Sequence, residues 1–324
     1  MLFCRLSKRR TKRKYAEVKF MPKLKKIFEL GKKAIIRGPI RNHAKLAKDI
    51  LTIAEKEVKL ALRFKLSFFL DHLISPIIRI VPFIMIYSGI FLMSNGNFNI
   101  GGEVSNYNFI LFLLIGMFMD TYFSVGVTSF QSKFINEKYW QTIEATFLAP
   151  INKLSLIFGV GVSDAISILP MYIMFGIISL TLMPIGIEKI LIAILVLGLI
   201  FTISLSLGLI FGSISLFQEN LTPLAGYFRM GITFFSCFYY PITILPVITE
   251  FNILQSIARL NPIFQGVDII RSVWFGNGLP PTEIVFGFIP INPLIYLVAV
   301  AAIAPLIAVF VFDKLWKILG IQGY

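Results

Sequence analysis

The chain has 324 residues, of which 56% are hydrophobic and only 15% are charged. A soluble domain carries about 25% charged residues, so this composition excludes an ordinary soluble globular protein. The formal charge of +14 is uneven, because residues 1–70 hold 21 Lys and Arg against 5 Asp and Glu, while residues 71–324 hold 10 against 12. The basic excess therefore belongs entirely to an N-terminal head.

Residues 1–45 are predicted to be a disordered cytoplasmic tail built around the basic run at 8–14. Next to a membrane, such a cluster is cytoplasmic by the positive-inside rule and binds anionic lipid. Nucleic-acid binding is the weaker alternative, because the head has no recognisable nucleic-acid-binding fold. No cleavable signal sequence is expected, since the first thirty residues are charged rather than apolar, and Met21 is an alternative start.

Residues 46–66 show the periodicity of an amphipathic helix. At 100° per residue the apolar side chains share one face and most charged side chains share the other, although Glu57 and Lys65 intrude on the apolar face. A basic amphipathic helix that leads into a transmembrane segment is expected to lie in the membrane interface. A helix that packs on protein or binds a partner is the alternative.

Six apolar segments follow, each long enough to cross a bilayer, because a helix needs about 20 apolar residues to span roughly 30 Å of hydrocarbon. The predicted spans are residues 73–93, 107–130, 154–183, 190–217, 221–239 and 291–312. Prolines inside these spans are tolerated because neighbouring helices can satisfy the freed carbonyls.

The charges of the loops orient these spans. The 95–106 loop holds no Lys or Arg and is placed outside, whereas the 131–153 segment carries Lys133, Lys138 and Lys153 and is placed inside. With an even number of spans, both chain ends then lie in the cytoplasm. The sequence therefore predicts an all-α polytopic protein of the cell membrane with six transmembrane helices, N-in/C-in.

Two segments between the spans need a separate interpretation. Residues 131–153 have a polar helical pattern that is too short and too charged to cross. Residues 241–290 are semi-apolar and rich in Pro and Gly, and their pieces 246–260 and 264–275 are too short to span. These pieces predict a re-entrant helical hairpin at the outer side before the last span, which needs protein or water to shield its backbone.

Sequence motifs for nucleotide, metal or covalent chemistry are missing. No segment matches Gly-x-x-x-x-Gly-Lys-Ser/Thr, His-Glu-x-x-His, Cys-x-x-Cys or Gly-x-Ser-x-Gly. Cys4 and Cys237 form no metal-ligand spacing, and two histidines, His43 and His72, are too few for a metal site. We therefore expect no metal, no cofactor and no enzymatic activity in this chain.

Two stretches carry a resemblance to a known family. Residues 136–150 read Asn-Glu-Lys-Tyr-Trp-Gln-Thr-Ile-Glu-Ala-Thr-Phe-Leu-Ala-Pro, and residues 238–246 read Phe-Tyr-Tyr-Pro-Ile-Thr-Ile-Leu-Pro, followed by Asn261-Pro262 and Arg271. In this order and between these spans, they resemble the permease subunits of type-2 ATP-binding cassette exporters. The first stretch is similar to that family's charged residue, Gly-Thr-Leu-Glu, apolar residues and Pro, except that Gln141 replaces the usual glycine.

The resemblance covers roughly residues 46–320 and implies half of a transporter. Two such permeases pair, as a homodimer or with a relative, and bind two copies of an ATP-binding subunit that hydrolyses the ATP. It implies a coupling helix for the ATPase that includes Glu137, Lys138, Tyr139, Trp140, Thr142, Glu144 and Pro150. It also implies an outer hairpin signature at Pro241, Pro246, Pro262 and Arg271. The alternative for Tyr139 and Trp140 is an aromatic position at the inner membrane–water boundary.

Four ionisable residues fall within predicted spans: Arg79, Asp120, Asp164 and Arg229. Counted from the predicted helix ends, all four lie near one layer in the inner half of the membrane. Since a lone charge there costs roughly 2.5–3.5 kcal/mol on insertion scales, we expect pairing across helices, for example of Asp164 with Arg229. An ionic gate that rearranges during transport and a static packing pair are both open.

These features together predict an exporter permease that moves a hydrophobic, amphipathic or lipid-linked substrate out of the cytoplasm with a separate ATP-binding subunit. The 32 phenylalanines could contact such cargo, or could simply pack between helices and face lipid. The alternative function is an ATP-independent channel or secondary transporter that uses Asp120 and Asp164. The sequence names neither the cargo nor the second permease.

Overall fold

The computed structural model describes residues 43–93, 106–142, 153–182, 186–245, 253–275, 284–286 and 289–322. Its helices are α1 (His43–Leu62), α2 (Lys65–Phe69), α3 (Ser75–Met93), α4 (Asn106–Tyr139), α5 (Lys153–Leu182), α6 (Ile187–Phe217), α7 (Thr222–Phe235), α8 (Ile253–Leu260), α9 (Pro262–Phe275) and α10 (Pro293–Gln322). A π-helical turn, Leu70–Ile74, precedes α3, and short 3-10 turns lie at Glu219–Leu221 and Ile242–Ile244. Strands β1 (Ile284–Phe286) and β2 (Ile289–Ile291) pair antiparallel.

Helices α4 and α6 form the centre of the bundle, and small residues let them approach closely. A Cβ atom built on Gly126 would lie 2.5 Å from the Cβ of Ser204, and one built on Gly212 would lie 2.8 Å from the Cβ of Phe130. Lipid tails are as apolar as the helices, so close van der Waals contact must hold membrane helices together. These positions therefore fix how α4 and α6 cross.

An aromatic cluster fills the space between α4, α5, α6 and α9. The ring centroids of Phe118 and Phe175 are 4.1 Å apart, those of Tyr122 and Phe201 are 5.1 Å apart, and those of Phe175 and Trp274 are 6.0 Å apart. Such pairs add stability beyond the area that they bury. Phenylalanines of this cluster are thus packing residues, which is the second of the two roles considered for them.

Helix α10 packs along α6 and closes the bundle. Its residues Leu297, Ala301, Ala308 and Phe312 are buried, while most of its remaining apolar side chains are exposed. In a chain that crosses a membrane, an exposed apolar face is the face that contacts lipid.

Four helices in the described part of the chain are long and apolar enough to cross a membrane: Leu111–Tyr139, Leu154–Ile178, Ile187–Leu216 and Pro293–Leu315. They correspond to the second, third, fourth and sixth predicted spans. Helix α3 occupies the place of the first. Helix α7 is shorter than the fifth predicted span, since its 14 residues extend about 21 Å against roughly 30 Å of hydrocarbon. The number of six spans therefore stays a prediction.

The region before α10 is partly as predicted. Helices α8 and α9 are short and consecutive and agree with the two helical pieces predicted for a hairpin. The all-α prediction did not include the antiparallel pair, in which Ile284 faces Ile291 and Phe286 faces Ile289. The first strand is Ile-Val-Phe, whose residues favour strands, and the second is Ile-Pro-Ile, whose proline is tolerated because a two-stranded sheet has only edge strands.

Candidate coupling site

Helix α4 is too long for a simple membrane crossing. Its 34 residues extend about 51 Å at 1.5 Å per residue, against roughly 30 Å of hydrocarbon. The second predicted span ended at residue 130, where the apolar run stops, but the helix continues to Tyr139. Its last turns therefore project beyond the apolar part. Residues 136–142, which comprise the end of α4 and the turn after it, are called here the coupling segment.

The coupling segment ends α4 in a Schellman motif. The Thr142 N–H donates to the Glu137 carbonyl over 3.0 Å, and the Gln141 N–H donates to the Lys138 carbonyl over 3.1 Å. Gln141 has a φ of 56°, in the left-handed region that glycine adopts without strain. The geometry gives a physical reason for the glycine that is usual at this position in the family that the segment resembles. In this chain, Gln141 bears the strain instead.

Two large aromatic side chains stand exposed beside this motif. Tyr139 is 74% exposed and Trp140 is 61% exposed. Exposed aromatic residues ringed by polar ones are typical of a protein–protein contact. Glu144 and Pro150, which the sequence analysis placed in the same coupling helix, lie outside the described residues.

An ion pair joins α1 to the coupling segment. The Nζ atom of Lys56 lies 2.7 Å from the Oε1 atom of Glu137 and 3.4 Å from a carboxylate oxygen of Glu57. Burial lowers the pKa of Lys56, but the hydrogen bond that it donates to Glu137 and the charges of both carboxylates outweigh burial and hold that pKa above its ordinary value. Lys56 is therefore charged at neutral pH, and it ties the two elements together.

The apolar face of α1 packs on α5. Ile53 and Ala54 are buried, and a Cβ atom built on Gly159 would lie 2.7 Å from the Cβ of Ile53 and 3.1 Å from the Ile50 carbonyl oxygen. The predicted amphipathic helix is thus fixed to α5 along this face. Only its other surfaces and its C-terminal end are left for lipid or a partner.

A buried polar cluster joins α4 to α5. The Nζ atom of Lys133 lies 2.7 Å from the Oδ1 atom of Asp164 and 2.8 Å from the Ser163 hydroxyl oxygen. The Ser129 hydroxyl donates to the other carboxylate oxygen of Asp164, which is 8% exposed. Removing one member would leave a shielded charge alone, so each charge stabilises the other.

The sequence analysis expected Asp164 to pair with Arg229, and the structure gives both residues other partners. Arg229 on α7 instead donates from Nη1 to the Ser124 hydroxyl on α4, over 2.9 Å. Lys133, which the analysis had placed in the polar helical segment on the cytoplasmic side, is the partner of Asp164. The continuation of α4 beyond residue 130 is what brings Lys133 to this level.

The single layer of charges predicted from the sequence is not formed either. Asp120 accepts a hydrogen bond from the Tyr239 hydroxyl over 2.8 Å. The contacts of Asp120, Arg229 and Asp164 on α4 thus lie at positions 120, 124 and 129, which is a spread of about 14 Å along the helix axis. The depth of Asp120 had been counted from a helix end at residue 130, which was too early because α4 continues to Tyr139. The Arg79 side chain lies outside the described part of the chain.

Arg271 on α9 is buried and anchors the turn that ends α7. Its Nη1 and Nη2 atoms donate to the carbonyls of Cys237 and Phe238 over 3.0 and 2.6 Å, and its guanidinium lies 3.5 Å from the ring centroid of Phe112. Cys237 has a left-handed φ of 51°, so the helix cannot continue there. A side chain from another helix satisfies these carbonyls, which explains why α7 is shorter than the predicted span.

The turn at Asn261-Pro262 ties α8 and α9 to α7. The Asn261 Nδ2 atom donates to the Ser236 hydroxyl over 2.9 Å, and its Oδ1 atom accepts from the Ile263 N–H over 3.1 Å. Asn261 thereby caps the N-terminus of α9, and Pro262 occupies the first helical position, where a missing N–H costs nothing.

A comparison with family models now bears on these contacts. The model of the ABC-2 type transporter matches residues 48–275, well over half of the chain. The chain belongs to the ABC-2 type transporter family. No curated protein matches it. This ABC-2 transporter is accordingly a multi-pass membrane protein, and the matched region is a membrane-spanning permease rather than a nucleotide-binding domain.

An apolar groove runs between α7 and α8 of this transporter. It is open to the surface and has a volume of about 570 Å³. It is lined by Leu224, Tyr227, Phe228, Gly231, Ile232, Phe235, Ile257, Leu260 and Asn261. The lining is almost entirely apolar, so a ligand that fits it is hydrophobic over most of its surface.

The outer hairpin signature of the ABC-2 transporter is only partly described. Pro262 begins α9, and Arg271 lies nine residues further along the same helix. Pro241 precedes the 3-10 turn at Ile242–Ile244 with an extended backbone. Pro246 lies outside the described residues.

The sequence analysis missed several partners that the structure supplies. Lys56, Ser129 and Lys133 were not among the predicted site residues, although each contacts one that was. A signal existed, since Ser129 and Lys133 are four residues apart and so share a helix face with one another. Joining the polar helical segment that starts at residue 131 to the preceding span, as one unbroken helix, would have brought Lys133 within reach of Asp164.

Proposed function

We propose that this ABC-2 transporter is the permease subunit of an ATP-driven exporter in the cell membrane. It works with two copies of a separate ATP-binding subunit and with a second permease, which is identical or related. The observation that supports this most directly is the coupling segment, which projects from the apolar part of α4 with Tyr139 and Trp140 exposed.

The ATP-binding subunit binds the coupling segment and thereby moves α4. Lys56 links the segment to α1, and Lys133 and Asp164 link the same helix to α5. A push on residues 136–142 is therefore carried to three helices rather than to one loop. The energy enters as a difference in contacts between two global states, and no chemistry is needed in the permease itself.

The proposed topology has six spans with both chain ends in the cytoplasm. Helix α3, with 19 residues, extends about 28 Å and suits the first span. Helix α7 and the turn anchored by Arg271 make up the fifth. This arrangement puts the coupling segment on the same side as the basic head, where the positive-inside rule also places Lys133 and Lys138.

The proposed cargo is a hydrophobic, amphipathic or lipid-linked compound. The groove between α7 and α8 supports this class, because its lining is apolar apart from the Tyr227 hydroxyl and Asn261. An apolar wall with a few polar groups is how sites for such ligands are usually built.

The alternative of an ATP-independent secondary transporter fits the acids less well. Asp164 is ion-paired with Lys133 and hydrogen-bonded by Ser129, so it serves the packing of α4 on α5. Asp120 accepts from Tyr239 and so helps to hold the turn after α7.

Co-purification tests the proposal. The tagged permease is isolated in mild detergent from its native host, and vanadate-sensitive ATPase activity is measured for the wild type and for a Tyr139→Ala/Trp140→Ala variant. We expect activity with the wild type and a loss of at least about tenfold in the variant, since truncating central aromatic contacts commonly costs 2 kcal/mol or more.

The matched control is Phe310→Ala, which removes an aromatic side chain that is 67% exposed on α10 and should keep wild-type activity. The proposal fails if no ATPase accompanies the wild type, or if the double variant retains all of it.

A further inference from the structure

The junction between α1 and α3 carries a patch that the coupling role does not use. Residues 62–70, called here the junction segment, contain the end of α1, a turn at Arg63 and Phe64, and the short helix α2. Five of its six apolar side chains are exposed by between 41% and 73% of their surface, namely Leu62, Phe64, Leu66, Phe69 and Leu70, and the sixth, Phe68, is partly buried. Helix α5 covers Ile53 and Ala54 on α1, whereas these five side chains are left largely uncovered.

Two basic side chains stand among these apolar ones. Arg63 and Lys65 are both exposed, and the Arg63 guanidinium lies 5.7 Å from the ring centroid of Phe64. Among the described residues, neither has a carboxylate within ion-pair distance, whereas the neighbouring Lys59 is paired with Glu55 over 2.6 Å. Their charges are therefore available to a ligand.

The position of the segment decides what it meets. It is followed directly by the turn Leu70–Ile74 and by α3, the helix in the place of the first span. A segment at the start of a membrane helix lies at the level of the lipid headgroups, with apolar side chains toward the acyl chains and basic ones toward phosphate.

We propose that the junction segment binds an anionic phospholipid. Arg63 and Lys65 hold the negatively charged headgroup, and Phe64, Leu66 and Phe69 contact its acyl chains. Charge complementarity selects the anionic lipid, because a zwitterionic headgroup adds no net attraction to two unpaired cations. The bound lipid thus lies at the junction segment, between the membrane helices and α1, which contacts the coupling segment through Lys56.

Photo-crosslinking of the full chain tests this site. The photoreactive residue p-benzoylphenylalanine is placed at Phe64, and the protein is reconstituted in nanodiscs that hold a minority of phosphatidylglycerol in phosphatidylcholine. Mass spectrometry then gives the ratio of the two lipid adducts. We expect phosphatidylglycerol to be enriched over its bulk fraction by at least about fivefold, the factor for one basic residue near the surface.

Three controls separate the site from general attraction. The same probe at Ile303, which is exposed on α10, should report the bulk ratio. The Arg63→Ala/Lys65→Ala background should return the Phe64 probe to the bulk ratio, whereas Lys12→Ala/Arg13→Ala, which removes equal charge from the head, should leave the enrichment in place.

The site is refuted if the Phe64 probe reports the bulk lipid ratio, or if removing charge from the head abolishes the enrichment. Adducts to protein instead of lipid would equally overturn it, because the segment would then be a surface for another subunit. None of these outcomes depends on ATPase activity, so the lipid site and the exporter role are tested separately.

Discussion

Gln141 shows how one backbone angle connects the sequence to the coupling segment. It occupies the left-handed position of the Schellman motif, where a side chain costs about 1 kcal/mol. Gln141→Gly should therefore raise the stability of the permease by up to roughly 0.5 kcal/mol, after the greater flexibility of glycine in the unfolded chain is subtracted. The measurement is the midpoint of thermal unfolding in detergent.

Gln131→Gly is the matched control, because it places the same substitution inside α4, where the backbone is helical. It should lower the midpoint, since glycine costs about 0.5 kcal/mol or more relative to glutamine within a helix. A Gln141→Gly variant that melts below the wild type would contradict the assignment of the motif.

At the scale of elements, α4 and α5 are joined by the ion pair of Lys133 with Asp164 in addition to the aromatic cluster. Lys133→Asp or Asp164→Lys alone should destabilise the chain by about 3 kcal/mol, because each puts two like charges into a shielded site. The double exchange Lys133→Asp/Asp164→Lys should recover most of that loss in thermal unfolding.

The comparison exchange is Asp164→Arg/Arg229→Asp, which tests the pairing expected from the sequence. Since Arg229 donates to Ser124 and not to Asp164, this exchange should rescue nothing. Recovery by the second exchange, or none by the first, would show that the helices pair differently.

The groove between α7 and α8 offers a second test at this scale. Gly231 lines it, and a Cβ atom built there meets no atom within 4 Å, so Gly231→Leu should fill the groove without moving the backbone. We expect this variant to lose most of the stimulation of ATPase activity by an amphipathic dye. Gly226→Leu, on the same helix and equally open but outside the groove, should keep it.

Equal stimulation in the two glycine variants would remove the groove from the cargo path. It would leave the family assignment and the coupling segment untouched, because neither depends on where cargo binds.

At this scale the long apolar segments were predictable from the sequence, and the ends of the helices were not. The runs that became α5 and α6 and the start of α10 were found within a few residues, because only a helix can hold so many apolar residues in a membrane, whereas α10 continues ten residues beyond its predicted end. Helix α4 was cut short at residue 130, since hydropathy reports the end of the apolar layer and not the end of the helix. The end of α7 depends on Arg271, a residue far away in sequence, and no local pattern encodes that contact.

The residues of the candidate site likewise divide into those that the sequence predicted and those that it did not. The charged and aromatic residues of the coupling segment were recognisable by their order, because the family resemblance lies in consecutive positions. The partners Lys56 and Ser129 come from tertiary packing, which a single sequence does not reveal. The partner of Asp164 was missed for the same reason, since Lys133 lies on a neighbouring helix.

For the whole molecule, the account requires the coupling segment to lie on the cytoplasmic side with the basic head. The segment, α1 and the start of α5 form one connected end of the structure through Lys56 and Gly159. An ATP-binding subunit can act on the permease only if this entire end is accessible from the cytoplasm.

Cysteine labelling with a membrane-impermeant maleimide tests this most directly. Trp140→Cys is introduced together with Cys4→Ser, since the remaining Cys237 is buried and should not react. The account predicts labelling of Trp140→Cys only after the cells are permeabilised, as for the native Cys4 in the basic head. Labelling of Trp140→Cys in intact cells would place the coupling segment outside and contradict the account.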